Sequence, residues 1–301
     1  MKLLGTASTI ALISLTAPLM ALDLGGGFSI TGNVELEYLN DGSDDETFGI
    51  LDADLVYEHA NGFGGFVGVD AFGTSSSTEE TIYGALSYSG SFGKIQIGAP
   101  RNALDDYVVS PEIGGVDVLD ISLGGLSGSI LPAVLIGSDE AATGLRYDGS
   151  FGSANVGVSY LDFEDAKILD AAMTYNLGET KLMAGLERAS SSGSESTAYF
   201  LGAEHDFGQV TAGAILGHSD LFASSGADSF TGYAVYSATD RLDLTASVLT
   251  ISASGSDAQY YGLAANYELS EALYVEAGYV TASSSFGGDD DFFALSVGMN
   301  F

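Results

Sequence analysis

The last ten residues, Phe292-Phe-Ala-Leu-Ser-Val-Gly-Met-Asn-Phe301, alternate between two kinds of side chain. Every second residue from Phe293 to Phe301 is large and apolar, and the residues between them are small or polar. Successive side chains of a β-strand point to opposite faces, so this period of two predicts a strand with one apolar face. The pattern continues to the last residue of the sequence.

The same alternation recurs upstream of this segment, starting near residue 26. It predicts sixteen strands, separated by short connections rich in Gly, Ser, Asp and Asn. The predicted strands lie near 26–40, 47–59, 63–72, 80–89, 92–100, 141–148, 152–162, 167–177, 180–188, 196–206, 208–218, 228–238, 241–252, 258–268, 272–281 and 290–301.

The connections between these strands fall into two alternating classes. One class is tight, as at Ala60-Asn61-Gly62 and Ser270-Glu271; the other is longer and rich in acids, Ser and Gly, as at 41–46, 190–195, 253–257 and 282–289. The longest connection, 101–140, follows the fifth strand and belongs to the second class. A loop of this length inside a compact fold is usually functional. Tight turns at one end and long loops at the other are typical of transmembrane β-barrels.

The composition excludes several classes of protein. The 301 residues include no Cys, so there is neither a disulfide framework nor a thiolate metal site. A formal net charge of −33 argues against nucleic-acid binding, which needs a basic face. Acidic disordered chains lack aromatic residues, whereas this chain is 46% hydrophobic and 11% aromatic, so we expect it to fold.

The N-terminus has the features of a secretory signal. Met1-Lys2 is followed by an uncharged apolar segment from Leu3 to Met20. Its position at the start of the chain and Pro18 within it favour a cleaved signal peptide over a membrane-spanning helix. We predict a signal peptide at 1–21 and a single barrel domain at 22–301.

A soluble sandwich would also show alternating strands, so other features must distinguish the two. The polar face of the strands is mostly small or acidic and has almost no Lys, and Tyr and Phe cluster near strand ends, where an aromatic girdle would lie. In lipid, every backbone polar group must be paired within the protein, which only helices and closed barrels achieve. The sequence therefore predicts an all-β, 16-stranded antiparallel transmembrane β-barrel, with apolar side chains facing lipid and small or acidic ones facing the lumen.

Two segments resemble the Gram-negative general porins, particularly the alphaproteobacterial, Rhodobacter-like type: Ser89-Gly-Ser-Phe-Gly-Lys-Ile-Gln-Ile-Gly-Ala-Pro-Arg-Asn-Ala-Leu-Asp-Asp106 and the terminal Phe292–Phe301. The resemblance implies a homotrimer of water-filled pores in the outer membrane, in contact with lipid and lipopolysaccharide. It also implies that the third outer loop, 101–140, folds inward as a constriction and that Phe301 helps the assembly machinery recognise the chain.

Charged residues near the long loop are the candidate constriction site, because a narrow passage focuses the field of its lining charges onto a passing ion. The candidates are Lys94, Arg101, Asp105, Asp106, Glu112, Asp117, Asp120 and Arg146. Two simpler interpretations stay open: the carboxylates could be solvated surface charges, and the basic residues could merely pair with the loop acids.

The first four strands depart from the pattern of the family, which usually sets a basic cluster on the wall facing the loop. No Lys or Arg occurs between Lys2 and Lys94. These strands offer the lumen only acids as charged residues, namely Glu35, Glu37, Asp52, Asp54 and Asp70. We therefore expect a cation-favouring pore for passive diffusion of small hydrophilic solutes.

The main alternative is a non-conducting structural or adhesive surface protein that binds divalent cations. The acidic loops 41–46 and 289–291 could gather Ca²⁺, but neither has the spacing of an EF-hand, and we predict no resident cofactor or metal. An enzyme is not expected. His59, His205 and His218 lie on different strands, and neither G-x-S-x-G nor H-E-x-x-H occurs.

Overall fold

The computed structural model describes residues 21–74, 78–116, 142–164, 166–191, 194–220, 226–253, 255–285 and 288–301. These ranges contain seventeen β-strands and one short helix, and no helix in them is long and apolar enough to cross a bilayer. The predicted signal peptide lies outside them except for its last residue, so it stays a prediction.

The strands follow the predicted positions closely. Their bounds are β1 Leu22–Gly25, β2 Phe28–Asn40, β3 Asp45–Glu58, β4 Phe63–Gly73, β5 Thr78–Gly90, β6 Gly93–Ala99, β7 Thr143–Phe151, β8 Ala154–Asp162, β9 Ala166–Leu177, β10 Thr180–Ser191, β11 Ser194–Asp206, β12 Val210–Ser219, β13 Ala227–Thr239, β14 Leu242–Ala253, β15 Ser256–Glu268, β16 Leu273–Ser284 and β17 Gly288–Asn300. The helix, α1, spans Leu104–Tyr107.

Strands β2 to β17 form a closed antiparallel ring of sixteen, because each pairs with the next and β17 pairs back with β2. The backbone N–H of Gly32 donates to the carbonyl of Phe301 (2.7 Å), and that of Phe301 donates to Gly32 (2.9 Å). The additional strand, β1, pairs with Phe28–Ile30 of β2. It was not predicted, since four residues are too few to display a period.

The outer connections are shorter than the sequence pattern predicted. Ser191 pairs with Ser194, and Ala253 pairs with Ser256, so the ladders of β10–β11 and β14–β15 continue into the segments that were predicted to be loops. Ser and Ala can continue a strand as well as form a turn, and here the hydrogen bonds of the neighbouring strand decide between the two.

The outward face of the ring is apolar, as predicted. Along β17, Leu295, Val297 and Met299 are 50%, 43% and 42% exposed, whereas Ser296 and Gly298 between them are buried. Aromatic pairs lie near the tight turns, including Phe63 with Tyr88, whose ring centroids are 4.9 Å apart. Both features fit a surface in contact with lipid.

The inward face is more apolar than the mostly small or acidic surface that the sequence predicted. Buried apolar side chains cover part of it, including Ile168 of β9, Phe200 of β11 and Leu249 of β14. They pack in two clusters that also contain residues following β6: Leu104 and Val108 in one, and Ile113 and Val116 in the other. The inner wall is apolar where chain packs against it, because burial of apolar surface stabilises that contact. The two clusters comprise, first, Leu104, Val108, Leu161, Phe163, Ala166, Ile168, Ala172, Met183, Ala189, Ala198, Phe200 and Ile215, and second, Ile113, Val116, Ala227, Leu249, Ile251, Ala258, Val280 and Ala294.

Candidate functional site

Strand β6 ends halfway along the wall. Its last residue, Ala99, pairs with Gly84, which lies in the middle of β5, and the seven residues of β6 are fewer than those of either neighbour. The chain therefore leaves the sheet at mid-depth of the barrel. The residues that follow, 101–116, contact the inward face of other strands and form the candidate site.

Arg101 is the first charged residue after this exit. Its Nη1 lies 2.6 Å from Asp70 Oδ2, and its Nη2 lies 3.0 Å from Oδ1 of both Asp52 and Asp54. Its guanidinium carbon lies 4.5 Å from the centroid of the Tyr83 ring. Burial lowers the pKa of Arg101, but the hydrogen bond to Asp70 and the three carboxylate charges outweigh it and raise that pKa above its ordinary value. Arg101 is thus a permanent cation held by acids of β3 and β4.

Arg146 of β7 holds the next part of the chain. Its Nη2 pairs with Asp106 of α1 and lies 2.8 Å from Asp148 Oδ1, and its Nη1 donates to the carbonyl of Asn102 (2.7 Å). Arg146 therefore does pair with a loop acid, whereas the observed ion pairs of Arg101 are with acids of the wall. This difference between the two arginines was not predicted.

Two further wall acids fix the start of α1. Asp170 of β9 accepts hydrogen bonds from the backbone N–H groups of Ala103 (3.0 Å) and Leu104 (3.1 Å). The Asn102 amide lies 3.5 Å from Oε2 of Glu187, the residue of β10 that faces Asp170 in the ladder. Sequence reasoning missed both acids. The available signal was the place of Asp170 between Ile168 and Ala172, on the inward parity of its strand.

Tyr107 ends the helix against the same wall. Its hydroxyl lies 3.1 Å from Asp148 Oδ1 and 3.0 Å from the carbonyl of Val156. Burial, together with the charge of Asp148 and the hydrogen bond to it, raises the pKa of Tyr107 to about 12. The phenol therefore remains a hydrogen-bond donor throughout the ordinary pH range.

Gly114 and Gly115 reach a different part of the wall. The backbone N–H of Gly114 donates to Ser247 Oγ of β14 (3.0 Å). A Cβ added at Gly278 of β16 would lie 2.1 Å from the carbonyl oxygen of Gly114, and one added at Gly262 of β15 would lie 2.3 Å from its nitrogen. Only glycines allow this approach. In a ring of sixteen strands, β14 is diametrically opposite β6, so residues 101–116 cross the interior.

The remaining predicted site residues are not all brought together. Glu35 and Glu37 are buried on the inward face of β2, and the Tyr274 hydroxyl donates to Glu35.

The other predicted site residues lie on and after β6. Lys94 lies at the tight-turn end of β6, opposite Asp148 in the ladder and away from Arg101. Asp105 and Glu112 are half-buried between the two wall contacts, and Asp117 and Asp120 lie outside the described residues. Phe301 links the end of β17 to β2 through its two backbone hydrogen bonds with Gly32.

The balance of charge on the inward face is negative. Seven of the eight Lys and Arg residues lie in the described ranges, and four of them occupy inward positions: Lys94, Arg101, Arg146 and Lys181. Three of the four form ion pairs with carboxylates, including Lys181 with Glu204 at 2.9 Å. Acids without an Arg or Lys partner in these pairs include the buried Glu35 and Asp170 and the half-buried Glu276.

The acidic outer loop after β2 is organised by its own backbone. Asp41 Oδ1 accepts hydrogen bonds from the N–H groups of Asp44 (2.7 Å) and Ser43 (2.9 Å), and these bonds lower the pKa of Asp41. No group of three or more His, Cys, Asp or Glu side chains within the described part of the chain is arranged to hold a metal ion. Calcium binding by the acidic loops is the alternative interpretation given above, and it is untested.

Comparison with known proteins places these features in context. An engineered mutant of the Rhodopseudomonas blastica porin superposes with a TM-score of 0.70 at 19% identity, covering 91% of this chain and 100% of that one. OmpT of Vibrio cholerae superposes with a TM-score of 0.68 as a loop L8 deletion mutant and 0.65 in its trimer form, each at 14% identity over 91% of this chain and 99% of the other.

At these identities the likeness in structure establishes the fold alone. No curated protein matches the sequence. The model of the Gram-negative porin family, however, matches residues 10–286, which is most of the chain, and so the family predicted from the sequence is confirmed. The chain therefore belongs to the Gram-negative porins and is an outer-membrane channel protein.

Proposed function

We propose that this porin is a water-filled, cation-favouring channel for passive diffusion of small hydrophilic solutes, narrowed at mid-depth by residues 101–116. The observation that carries the proposal is the pair of contacts made by this segment on opposite walls: Arg101 and α1 on one side, and Gly114 at Ser247 on the other. A segment anchored at both walls narrows the cross-section that is open to a solute. The remainder of the predicted constriction loop, 117–140, lies outside the described residues, and its part in the constriction stays a prediction.

The preference for cations is argued from charge. Arg101 is surrounded by three carboxylates and Arg146 contacts two, so neither presents an uncompensated positive charge to the lumen. The inward acids outnumber these bases. A passage with low-dielectric walls focuses this excess negative potential, which concentrates cations and repels anions.

The test is a planar bilayer experiment with a KCl gradient across the membrane. We expect stepwise conductance and a reversal potential of the sign set by K⁺. A reversal potential of the opposite sign would contradict the cation preference. A correctly folded sample without conductance would refute the channel and favour the non-conducting adhesive alternative.

Matched variants separate the lumen from the surface. Glu35→Gln with Glu37→Gln removes two inward charges and is expected to move the reversal potential towards zero. Glu195→Gln removes an exposed acid that pairs with Arg188 at the outer end of β10–β11, and it should leave the reversal potential unchanged.

We also propose that the chain assembles as a homotrimer in outer-membrane lipid, with its outer loops facing lipopolysaccharide, after removal of residues 1–21. The trimer form of OmpT supports the assembly, since that protein shares this fold. Light scattering of detergent-solubilised protein is expected to give three copies per particle, and N-terminal sequencing is expected to begin at Leu22. A monomeric mass would contradict the trimer.

A further inference from the structure

The guanidinium of Arg101 lies in a pocket of the barrel wall that its own segment does not build. Asp52 and Asp54 come from β3, Asp70 from β4 and Tyr83 from β5; we call these four residues the acidic pocket. Asp52 and Asp70 face each other directly across the β3–β4 ladder. The pocket is therefore part of the rigid sheet, whereas Arg101 follows the end of β6 and pairs with no strand.

The shape of the acidic pocket matches a planar guanidinium. One nitrogen contacts Asp70 (2.6 Å), a second contacts Asp52 and Asp54 (3.0 Å each), and the Tyr83 ring lies 4.5 Å from the central carbon. A guanidinium presents its donors as a planar fork and stacks on aromatic faces, whereas an ammonium acts as a compact point charge. The arrangement thus discriminates between two cations of equal charge.

A glycine provides the room for this arrangement. Gly68 lies on the inward parity of β4, two residues before Asp70. A Cβ added there would lie 1.9 Å from Asp54 Oδ1 and 3.2 Å from Arg101 Nη2. Any larger residue would displace both the carboxylate and the guanidinium. This observation is independent of the charges and indicates a cavity sized for a guanidinium.

The pocket remains negative even when Arg101 occupies it, because three carboxylates surround one cation. The side chain of Arg101 is the tether here, and a short flexible linker holds its ligand at an effective concentration of about millimolar order. A free guanidinium solute at a comparable concentration can therefore compete with Arg101, and Arg101 can leave without breaking a strand pairing.

We propose that the acidic pocket recognises the guanidinium groups of solutes entering the channel, and that Arg101 is a built-in ligand with which such solutes compete. The proposal names a solute class for the lumen and rests on the proposed function only in that solutes reach the pocket through the channel. It makes Arg101 and Asp70 specificity-determining residues of the porin.

The experiment is calorimetric titration of detergent-solubilised protein with guanidinium chloride at millimolar concentrations, with tetramethylammonium chloride as the control cation. Arg101→Ala removes the side chain that occupies the acidic pocket. We expect this variant to bind one guanidinium per chain, at least about tenfold more tightly than the unaltered protein does. Adding Asp70→Asn to this variant should weaken binding at least about tenfold, since a charge-assisted contact is lost. Arg188→Ala removes an exposed arginine elsewhere and should behave as the unaltered protein.

A folded Arg101→Ala variant, judged by its circular dichroism, that binds guanidinium no better than tetramethylammonium would overturn the proposal. If this variant does not fold, Arg101→Lys takes its place. Its ammonium keeps the charge but cannot span Asp70 and Asp54. Guanidinium should therefore displace the lysine at concentrations at least threefold below those needed to displace Arg101 from the unaltered protein. A threefold difference in concentration is about half of a tenfold step in affinity on a logarithmic scale. Equal concentrations would overturn the proposal. The titration does not depend on conductance. The absence of guanidinium binding would therefore overturn this proposal without affecting the cation channel, and a reversal potential that contradicts the cation channel would leave the binding result standing.

Discussion

Arg101 and Arg146 illustrate what a sequence reveals about single residues and what it does not. Arg101 begins the long loop and Arg146 lies on the strand that follows it. Their charge and these positions predicted a role in the lumen. The partners of Arg101 could not be predicted, because its side chain passes over β5 to reach acids on β4 and β3. Neighbouring strands are about 4.8 Å apart, so β3 and β4 lie two to three such spacings from β6. A side chain that starts at the end of β6 reaches them only where the wall curves towards it. The curvature is a property of the closed ring.

Tyr107 gives a prediction at the same scale. Its pKa is raised to about 12 from an ordinary value of 10.0, so the stabilisation from its neutral hydroxyl is complete below pH 10 and is lost as the pH rises towards about 12. Tyr107→Phe should cost about 0.5–1.5 kcal/mol at neutral pH, the usual contribution of one hydrogen bond. Its free energy of unfolding in detergent should then fall less steeply than that of the unaltered protein between these two pH values.

The control for Tyr107→Phe is Tyr236→Phe, which removes an exposed phenol from the lipid face. Denaturant titrations below pH 10 and near pH 12 make the comparison. Identical pH dependence in Tyr107→Phe and the unaltered protein would contradict the assigned role of the phenol.

Among the elements, the strands with one polar face were the easiest to predict. In β2, Glu35 and Glu37 alternate with Leu36 and Tyr38, and the inward and outward faces follow at once. In β9, both Ile168 and Leu169 are apolar, yet Ile168 is buried in the interior and Leu169 is exposed on the outside. Alternation cannot assign such a strand, because the apolar inner face exists only where residues 101–116 pack on it. The crossing of the lumen by that segment was an expectation from family resemblance, not from its own residues.

Gly114 gives a prediction for this crossing segment. Its φ is +66°, and an added Cβ would lie 2.8 Å from the carbonyl oxygen of Tyr279 and 2.9 Å from the Cα of Gly262. Gly114→Ala should therefore detach the segment from β14–β16 and raise single-channel conductance and current noise.

Gly152 is a matched control, since it has the same φ of +66° and nothing within 4 Å of the added Cβ. Gly152→Ala carries the same backbone cost, about 1–2 kcal/mol, but should leave conductance unchanged. Equal conductance in Gly114→Ala and the unaltered channel would mean that the contact with the opposite wall does not restrict ion flow.

The closed ring is the property of the whole molecule on which all of these details depend. No single strand encodes closure. It was predicted from the requirement that backbone groups in lipid be paired, together with the scarcity of lysines that would cover a solvated sheet. The structure satisfies that requirement with ladders on both sides of every strand from β2 to β17. The number of strands followed from the periodicity, and the additional β1 did not.

Lipid exposure of the outer face gives a prediction at this scale. Leu263 lies midway along β15 on the outward face and is 62% exposed. Leu263→Arg should destabilise the barrel by about 2–4 kcal/mol, the cost of an arginine at the midplane of a bilayer. Gln259→Arg, on the same face of the same strand near its outer end, should cost only about 0–1 kcal/mol. Unfolding in lipid vesicles measures both, and equal costs would contradict a membrane-spanning β15.

The junction between β17 and β2 has a consequence for biogenesis. The two strands that meet there are nearly the whole sequence apart, and Asn33 is hydrogen-bonded to both Tyr274 and Asn300 across the seam. A nascent chain cannot complete its ring until β17 has been synthesised. Every truncated product must then carry two unpaired strand borders, which invite aggregation during transit across the periplasm. Periplasmic quality control can thus distinguish complete from truncated chains by whether β17 has paired with β2.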